Sequence, residues 1–332
     1  MAPHHAPDAD RRPRRRRWRA APRWLASLAA AMALSGCGML EAQGAMSTGA
    51  DLALAERAMF GAFTYGGVWR GMEPVVQLEL QLGRRLDVVH WFMNWDHDFD
   101  PAMVANASAG GRLPLISWQP MRQDLRDIAA GVHDAYLRAW AAGVAAAPGP
   151  VYLRPFPEMN GEWVPWNGDP DALRAAWRRM TAVFRDAGAD NVRWVWSPNV
   201  SDEPRTEANR MERYYPGHDQ VDVLALSGYN WGETRPYIGW RSFEEVFATG
   251  YARITAIGPQ PLWLTELASS DAGGDKAAWV RDMFASTEFP RMAALVWFDE
   301  DKEADWRITS APEVVRAFQH GLGVAPTVSS AR

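Results

Sequence analysis

The chain has 332 residues, 48% of them hydrophobic, with a formal net charge of −5. That length and apolar content suit one large α/β domain with a full core. Residues 1–36 carry eight Arg and two Asp, so residues 37–332 hold 27 basic and 38 acidic side chains. Such an acidic surface repels phosphate backbones and argues against nucleic acid as a partner. The single cysteine excludes an internal disulfide and a cysteine-based metal site.

The N-terminus reads as an export signal. Arg11 to Arg23 is basic, Trp24 to Leu34 is a short apolar run, and Leu34-Ser35-Gly36-Cys37 follows. The run is too short for a permanent membrane span. The last four residues resemble a bacterial lipobox, which implies a lipid on Cys37. Gly38 then stands where Asp often marks retention in the inner membrane, so an outer-membrane anchor is expected. Residues 1–36 are assigned to the signal and 37–50, small and polar, to a tether. Residues 51–322 are assigned to the folded domain and 323–332 to a tail.

Eight strand-like runs follow: 60–66, 86–95, 113–120, 151–156, 192–198, 221–229, 261–266 and 292–299. Their starts are about 25 to 41 residues apart, enough for a helix and two loops each. The clearest helix spans 170–187. Asp169 is its N-cap, Pro170 its first residue and Gly188 its stop. Leu173, Trp177, Met180 and Phe184 form its apolar stripe. A capping-box pattern at Ser310-Ala311-Pro312-Glu313 opens the last helix. Strands apolar nearly throughout and alternating with helices predict a parallel sheet covered on both faces. Eight repeats predict a single (β/α)8 TIM barrel. No glycine-rich phosphate loop follows the first strand, which disfavours an open nucleotide-binding sheet.

Barrel enzymes place their chemistry at the C-terminal ends of the strands. Here those ends offer Tyr65, Trp91, Trp95, Trp118, Gln119, Glu158, Trp196, Asn199, Tyr229, Trp231, Glu266, Trp297 and Asp299. All are expected at one mouth, with Trp91, Trp118 and Trp231 among the rings meeting substrate. The 18 tryptophans exceed what a core needs, and flat rings suit sugar faces. Glu158 ends the fourth strand and Glu266 the seventh, on opposite sides of the barrel. Two carboxylates facing each other can cleave a glycosidic bond, and a close pair does so with retention. The aromatic, proline-rich turn around Glu158 should raise its pKa, which suits the acid. The Tyr229 hydroxyl should help keep Glu266 ionised.

Arg154-Pro155-Phe156-Pro157-Glu158-Met159-Asn160-Gly161-Glu162-Trp163-Val164-Pro165-Trp166 resembles the acid/base signature of glycoside hydrolase family 26. Val195-Trp196-Ser197-Pro198-Asn199, Gly228-Tyr229-Asn230 and Leu264-Thr265-Glu266 resemble that family's later strand ends. The resemblance implies a retaining endo-β-glycanase acting on polysaccharide, β-1,4-mannan first. Mixed-linkage β-glucan, β-1,3-xylan and a bacterial exopolysaccharide are alternatives. It makes Glu158 the acid/base, Glu266 the nucleophile and Tyr229 the nucleophile's partner. It puts Trp297 beneath the reacting sugar and Trp163 and Trp166 along the cleft. The family usually has His before the acid/base Glu. Pro157 stands there instead, so orientation falls to Asn160 or Asn199. No cofactor or metal is expected, and the protein should be monomeric. The rival class is a polysaccharide-binding lipoprotein without turnover.

Overall fold

Alternate residues of each strand face two separate cores, and this parity decides what reaches the active face. The computed structural model describes residues 52–325. The signal, lipobox, Cys37, the whole tether and most of the tail therefore lie outside the described residues. Eight parallel strands close a barrel in chain order: β1 (Met59–Thr64), β2 (Val88–Asn94), β3 (Leu113–Gln119), β4 (Val151–Pro155), β5 (Val192–Trp196), β6 (Val223–Asn230), β7 (Leu262–Ser269) and β8 (Met292–Asp299). β1 pairs with β8 from Met59↔Ala294 to Thr64↔Asp299, which closes the ring.

The helices are α1 (Leu54–Arg57), α2 (Glu73–Leu82), α3 (Pro101–Ser108), α4 (Leu125–Ala129), α5 (Asp134–Ala146), α6 (Pro170–Asp186), α7 (Phe243–Thr255), α8 (Lys276–Ala285) and α9 (Pro312–Gly321). The expected (β/α)8 barrel is thus present, with one departure. Between β5 and β6 the chain makes only short 3-10 turns, so that connection covers its flank without an α-helix.

Inside the barrel, Val88, Leu115, Val195, Val223, Ala225, Trp263, Ala294 and Val296 form an apolar floor, with Tyr152 stacked on Trp263 at 4.7 Å. Residues of the other parity pack outward against the helices in a much larger core. Two residues beyond the floor on most strands, the inward positions turn polar. They are His90, Ser117, Arg154, Ser197 and Ser227, joined by Thr265 and Glu266.

β7 contributes two residues there because it carries a bulge. Leu226 pairs with Leu264, but Ser227 pairs with Glu266, so Thr265 is an extra residue. Consecutive Thr265 and Glu266 then both face the interior.

Two helix starts test the local sequence signals. α6 begins as expected, with Asp169 Oδ1 accepting from the Ala172 amide at 3.0 Å. α9 does not form the expected capping box, because its N-cap is Ala311 and no side chain caps it. Ser310 Oγ instead accepts from Lys276 Nζ at 3.1 Å. That buried ammonium also donates to the carbonyls of Asp305 and Arg307 at 2.9 and 2.8 Å. A buried cation satisfied by three oxygens outcompetes a cap exposed to water. In the acidic run after β2, Asp100 caps α3, accepting from the amides of Ala102 and Met103.

Candidate active site

Arg154 is the hub of the polar layer. Its guanidinium is fully buried and forms an ion pair with Glu266. It donates to Ser117 Oγ at 3.0 Å and to Ser227 Oγ. The other Glu266 oxygen accepts from the Tyr229 hydroxyl at 2.7 Å. Burial, with Glu266 beside it, holds the Tyr229 pKa well above its ordinary value. The phenol is therefore a hydrogen-bond donor at neutral pH. Glu266 is thus bonded on one oxygen by a guanidinium and on the other by a phenol.

Beneath this, His90 Nε2 lies 2.7 Å from Ser117 Oγ. Burial and the neighbouring Arg154 push the His90 pKa well below its usual value, so the ring is neutral.

Glu158 is delivered by an unusual turn rather than by the strand itself. Phe156 and Glu158 both adopt left-handed backbone, with φ of 51° and 56°. Such conformations cost about 1–3 kcal/mol each in non-glycine residues and persist where neighbours enforce them. The enforcement is visible. The Glu158 amide donates to the Ser197 carbonyl at 2.8 Å, and the Gly161 amide donates to the Glu158 carbonyl at 2.8 Å. Trp166 Nε1 donates to the Pro157 carbonyl at 2.9 Å.

The Glu158 carboxyl accepts from Asn199 Nδ2 and from Trp163 Nε1, each at 2.8 Å. Asn160 braces Asn199 in turn, through its Oδ1 to the Asn199 amide at 2.7 Å and its Nδ2 to the Asn199 carbonyl at 3.0 Å. Asn199 thus bonds the Glu158 carboxyl directly, and Asn160 contacts Asn199 only at its backbone. Burial first, and then the charge of Glu266, raise the Glu158 pKa; Arg154 and the two hydrogen bonds only partly offset this.

The two carboxyls therefore sit in contrasting environments. One is wrapped by neutral donors and holds its proton more strongly. The other is clamped by a cation and a phenol.

The tryptophans divide sharply. Trp163 is 52% exposed at the rim beside Glu158. Trp231 packs against Trp306 and Tyr229, with the Arg235 guanidinium 3.5 Å above its ring. Six expectations need correction, beginning with Trp95 and Trp196, which are buried in the outer core instead of at the mouth. Trp166 is buried and supports the Glu158 turn from below instead of lining the cleft. Trp118 is buried against Trp95 and Trp140, and its Nε1 donates to the Tyr136 hydroxyl at 3.1 Å. Trp91 is buried in the same outer core. Trp297 meets Phe318 and Trp279 edge-on and donates to the Trp306 carbonyl at 2.7 Å.

The physical reason for the last three is parity. Each lies one residue from an inward position, so its side chain points to the helices. The inward neighbours are Phe92, Ser117 and Phe298. Phe298 stacks on Phe63 at 4.9 Å and meets Tyr229 edge-on. Arg154, Ser117, Ser227, Phe63 and Phe298 went unassigned from sequence. Counting in steps of two from the apolar floor would have found most of them.

Residues 121–279 match the family described as glycosyl hydrolase family 26. This barrel is related to family 26. The matched stretch takes in Glu158, Asn199, Tyr229 and Glu266. Endoglucanase H of Acetivibrio thermocellus is 36% identical over 275 residues, 77% of this chain and 30% of that protein. A mannan endo-1,4-beta-mannosidase of Bacillus subtilis is 26% identical over 165 residues, 46% of this chain and 40% of that one. The chain thus spans well under half the length of these curated relatives. A modular endo-beta-1,4-mannanase from Cellulomonas fimi superposes with a TM-score of 0.61 at 19% identity, covering 82% of this chain and 71% of that one. At that identity the likeness concerns the family 26 barrel fold alone.

Proposed function

We propose that this protein is a retaining endo-β-glycanase. The observation that carries this reading is the contrast between two carboxyls at one mouth. Glu158 is shielded and bonded by Asn199 and Trp163, while Glu266 is bonded by Arg154 and Tyr229. In the first half-reaction, a Glu266 oxygen attacks the anomeric carbon. Glu158 gives its proton to the departing glycosidic oxygen, and a glycosyl ester forms. In the second, Glu158 takes a proton from water, the water oxygen attacks the same carbon, and Glu266 leaves as carboxylate. Tyr229 and Arg154 hold the Glu266 carboxylate in place before attack. Its developing neutrality as an ester loosens those bonds.

For the polymer we place a β-glucan first and β-1,4-mannan second. The likeness to a protein named as an endoglucanase spans 77% of the chain, against 46% for one named as a mannosidase. The test is reducing-sugar release by the full-length protein from mixed-linkage β-glucan, glucomannan, galactomannan and β-1,3-xylan. Release from β-glucan that Glu266→Ala abolishes is expected. No release from any polymer by folded protein overturns the hydrolase reading.

We further propose that the protein is exported and held at the outer membrane by a lipid on Cys37. Cys37→Ser should release it from the membrane fraction, and unchanged fractionation would refute the anchor.

A further inference from the structure

A cavity of about 520 Å³ opens between α7 and the β5–β6 connection, the one that lacks an α-helix. Ser201, Asp202, Arg205 and Arg210 face it from the connection. Arg241 faces it from just before α7, and Arg253 from the last turn of that helix. Neither Glu158 nor Glu266 lines it, and neither does Tyr229 or Trp163. We infer that this cavity is an oxyanion site, taking a uronate carboxylate or a phosphate, and that its occupancy is felt at Glu158. The link to Glu158 rests on the glycanase reading; the site itself does not.

The charges point to an anion. Four guanidiniums line the cavity against two carboxylates, Asp202 and Glu207. Three of the four are already engaged. Arg253 pairs with Asp202 at 2.8 Å and with Glu212 at 2.7 Å, Arg210 with Glu212 at 3.3 Å and Glu207 at 3.5 Å, and Arg205 with Glu203 at 3.2 Å. Arg241 makes no ion pair among the described residues, and its guanidinium donates to a neutral group, the Glu245 carbonyl. A planar fork with a charge and donors to spare matches a carboxylate or a phosphate. No aromatic ring lines the cavity, so it has no platform for the face of a neutral pyranose.

One wall is continuous with the turn that carries Glu158. Val200 and Ser201 follow Asn199, whose Nδ2 bonds the Glu158 carboxyl, and the Ser201 amide donates to Asn199 Oδ1 at 3.0 Å. Asp202 Oδ1 accepts from Asn160 Nδ2 and from the Met211 amide, each at 2.9 Å. Asn209 Nδ2 ties the same loop to the Asn160 carbonyl at 2.8 Å. The wall is therefore fixed before binding, which lowers the entropy lost on binding. An anion held by Arg241 adds negative charge on the Asn199 side of Glu158, and nearby negative charge favours the protonated carboxyl.

The experiment is calorimetry on the full-length protein with sodium glucuronate and with inorganic phosphate, glucose serving as the neutral control. Binding of an anion is expected, and Arg241→Gln should weaken it about tenfold or more by removing a charge-assisted pair. Arg241→Lys should keep part of it. The Arg241 backbone holds its loop independently of the side chain, donating to Asn230 Oδ1 at 2.9 Å and accepting from Trp279 Nε1 at 3.0 Å, so thermal melts of both variants should match the unaltered protein. Binding of one anion alone assigns the source, sugar acid or phosphate. No binding of either anion, or binding that Arg241→Gln leaves unchanged, overturns the site, as does equal Arg241-dependent binding of glucose.

The link is read in turnover of polysaccharide at matched ionic strength. Saturating anion should move the alkaline limb of the pH profile to higher pH in the unaltered protein and leave it in place in Arg241→Gln. A limb that stays put while binding is normal overturns the link and leaves the site standing. If no polymer is cleaved, the glycanase reading falls and the calorimetry alone decides the site.

Discussion

Arg154 and Glu266 form a buried ion pair that joins the end of β4 to β7 across the barrel mouth. The pair is not isolated, because the serines of β3 and β6 accept from the two terminal guanidinium nitrogens and Tyr229 donates to the carboxylate. Removing one partner leaves the other charged and dry. Arg154→Met should therefore cost about 3–5 kcal/mol in chemical denaturation. Arg154→Lys should recover part of that stability but not the fork to both serines. Wild-type stability in Arg154→Met would mean that the pair does not hold the barrel mouth together.

The two carboxyls should separate by leaving group. Glu158→Ala should lower turnover of polysaccharide by about 10²–10⁴-fold, the range for loss of a general acid. On an aryl glycoside whose leaving group needs no proton, glycosylation in that variant should be far less affected. Glu266→Ala should fail on both substrates. Equal losses for Glu158→Ala on the two substrates would contradict its role as acid.

The pH profile follows from the raised Glu158 pKa. The acid must be protonated to act, so activity should fall on the alkaline limb as pH climbs through that raised value. Asn199→Ala removes a bond that favours the carboxylate. Its alkaline limb should move to higher pH. Glu266→Gln removes a repelling charge, and the Glu158 carboxyl signal in NMR should then titrate lower. A shift in the opposite direction in either variant would show that burial and Glu266 do not set this group.

Asp299 links pH to stability. Burial pushes its pKa from 3.8 up to about 6. The native state therefore holds a proton that the unfolded chain releases. Its contribution is fully present below the unfolded value and is lost as pH rises through about 6. Asp299→Asn keeps an oxygen for the Ile308 amide and should flatten the stability profile across that window. The change should be about 3 kcal/mol at most, since each tenfold change in proton affinity is worth about 1.4 kcal/mol. Parallel profiles for the two proteins would place the titration elsewhere.

The tryptophans should sort by parity. Trp118→Ala should cost about 3–5 kcal/mol by opening a cavity between strand and helices. Trp163→Ala should leave the melting temperature nearly unchanged and lower turnover. The reverse pattern would invert the assignment of faces.

Much of this was legible in the residues. Apolar runs of strand length, helical stripes and the Asp169–Pro170 start gave the barrel. Glu158, Glu266, Tyr229 and Asn199 lie at its mouth as their strand-end positions implied, and Trp163 lies there as the resemblance implied. What misled was residue type taken without parity. Trp118 is large and near a strand end, yet it faces out while the small Ser117 beside it faces in. Arg154 looked like part of a signature, and only the closed barrel shows that it reaches Glu266 across 112 positions of sequence. The Ser310 cap failed because Lys276, far away in the chain, competes for the same oxygen.

The extra residue in β7 has a consequence for how this protein tolerates change. Thr265 acts as a half-step in a staircase, and everything after it turns to the side it would otherwise have left. Swapping its side chain alters only its hydroxyl's hydrogen bonds, with Ser197 and the Leu226 carbonyl. Deleting it rotates Glu266 and every later β7 residue by one face, so a gap of a single codon there is a far larger event than any substitution.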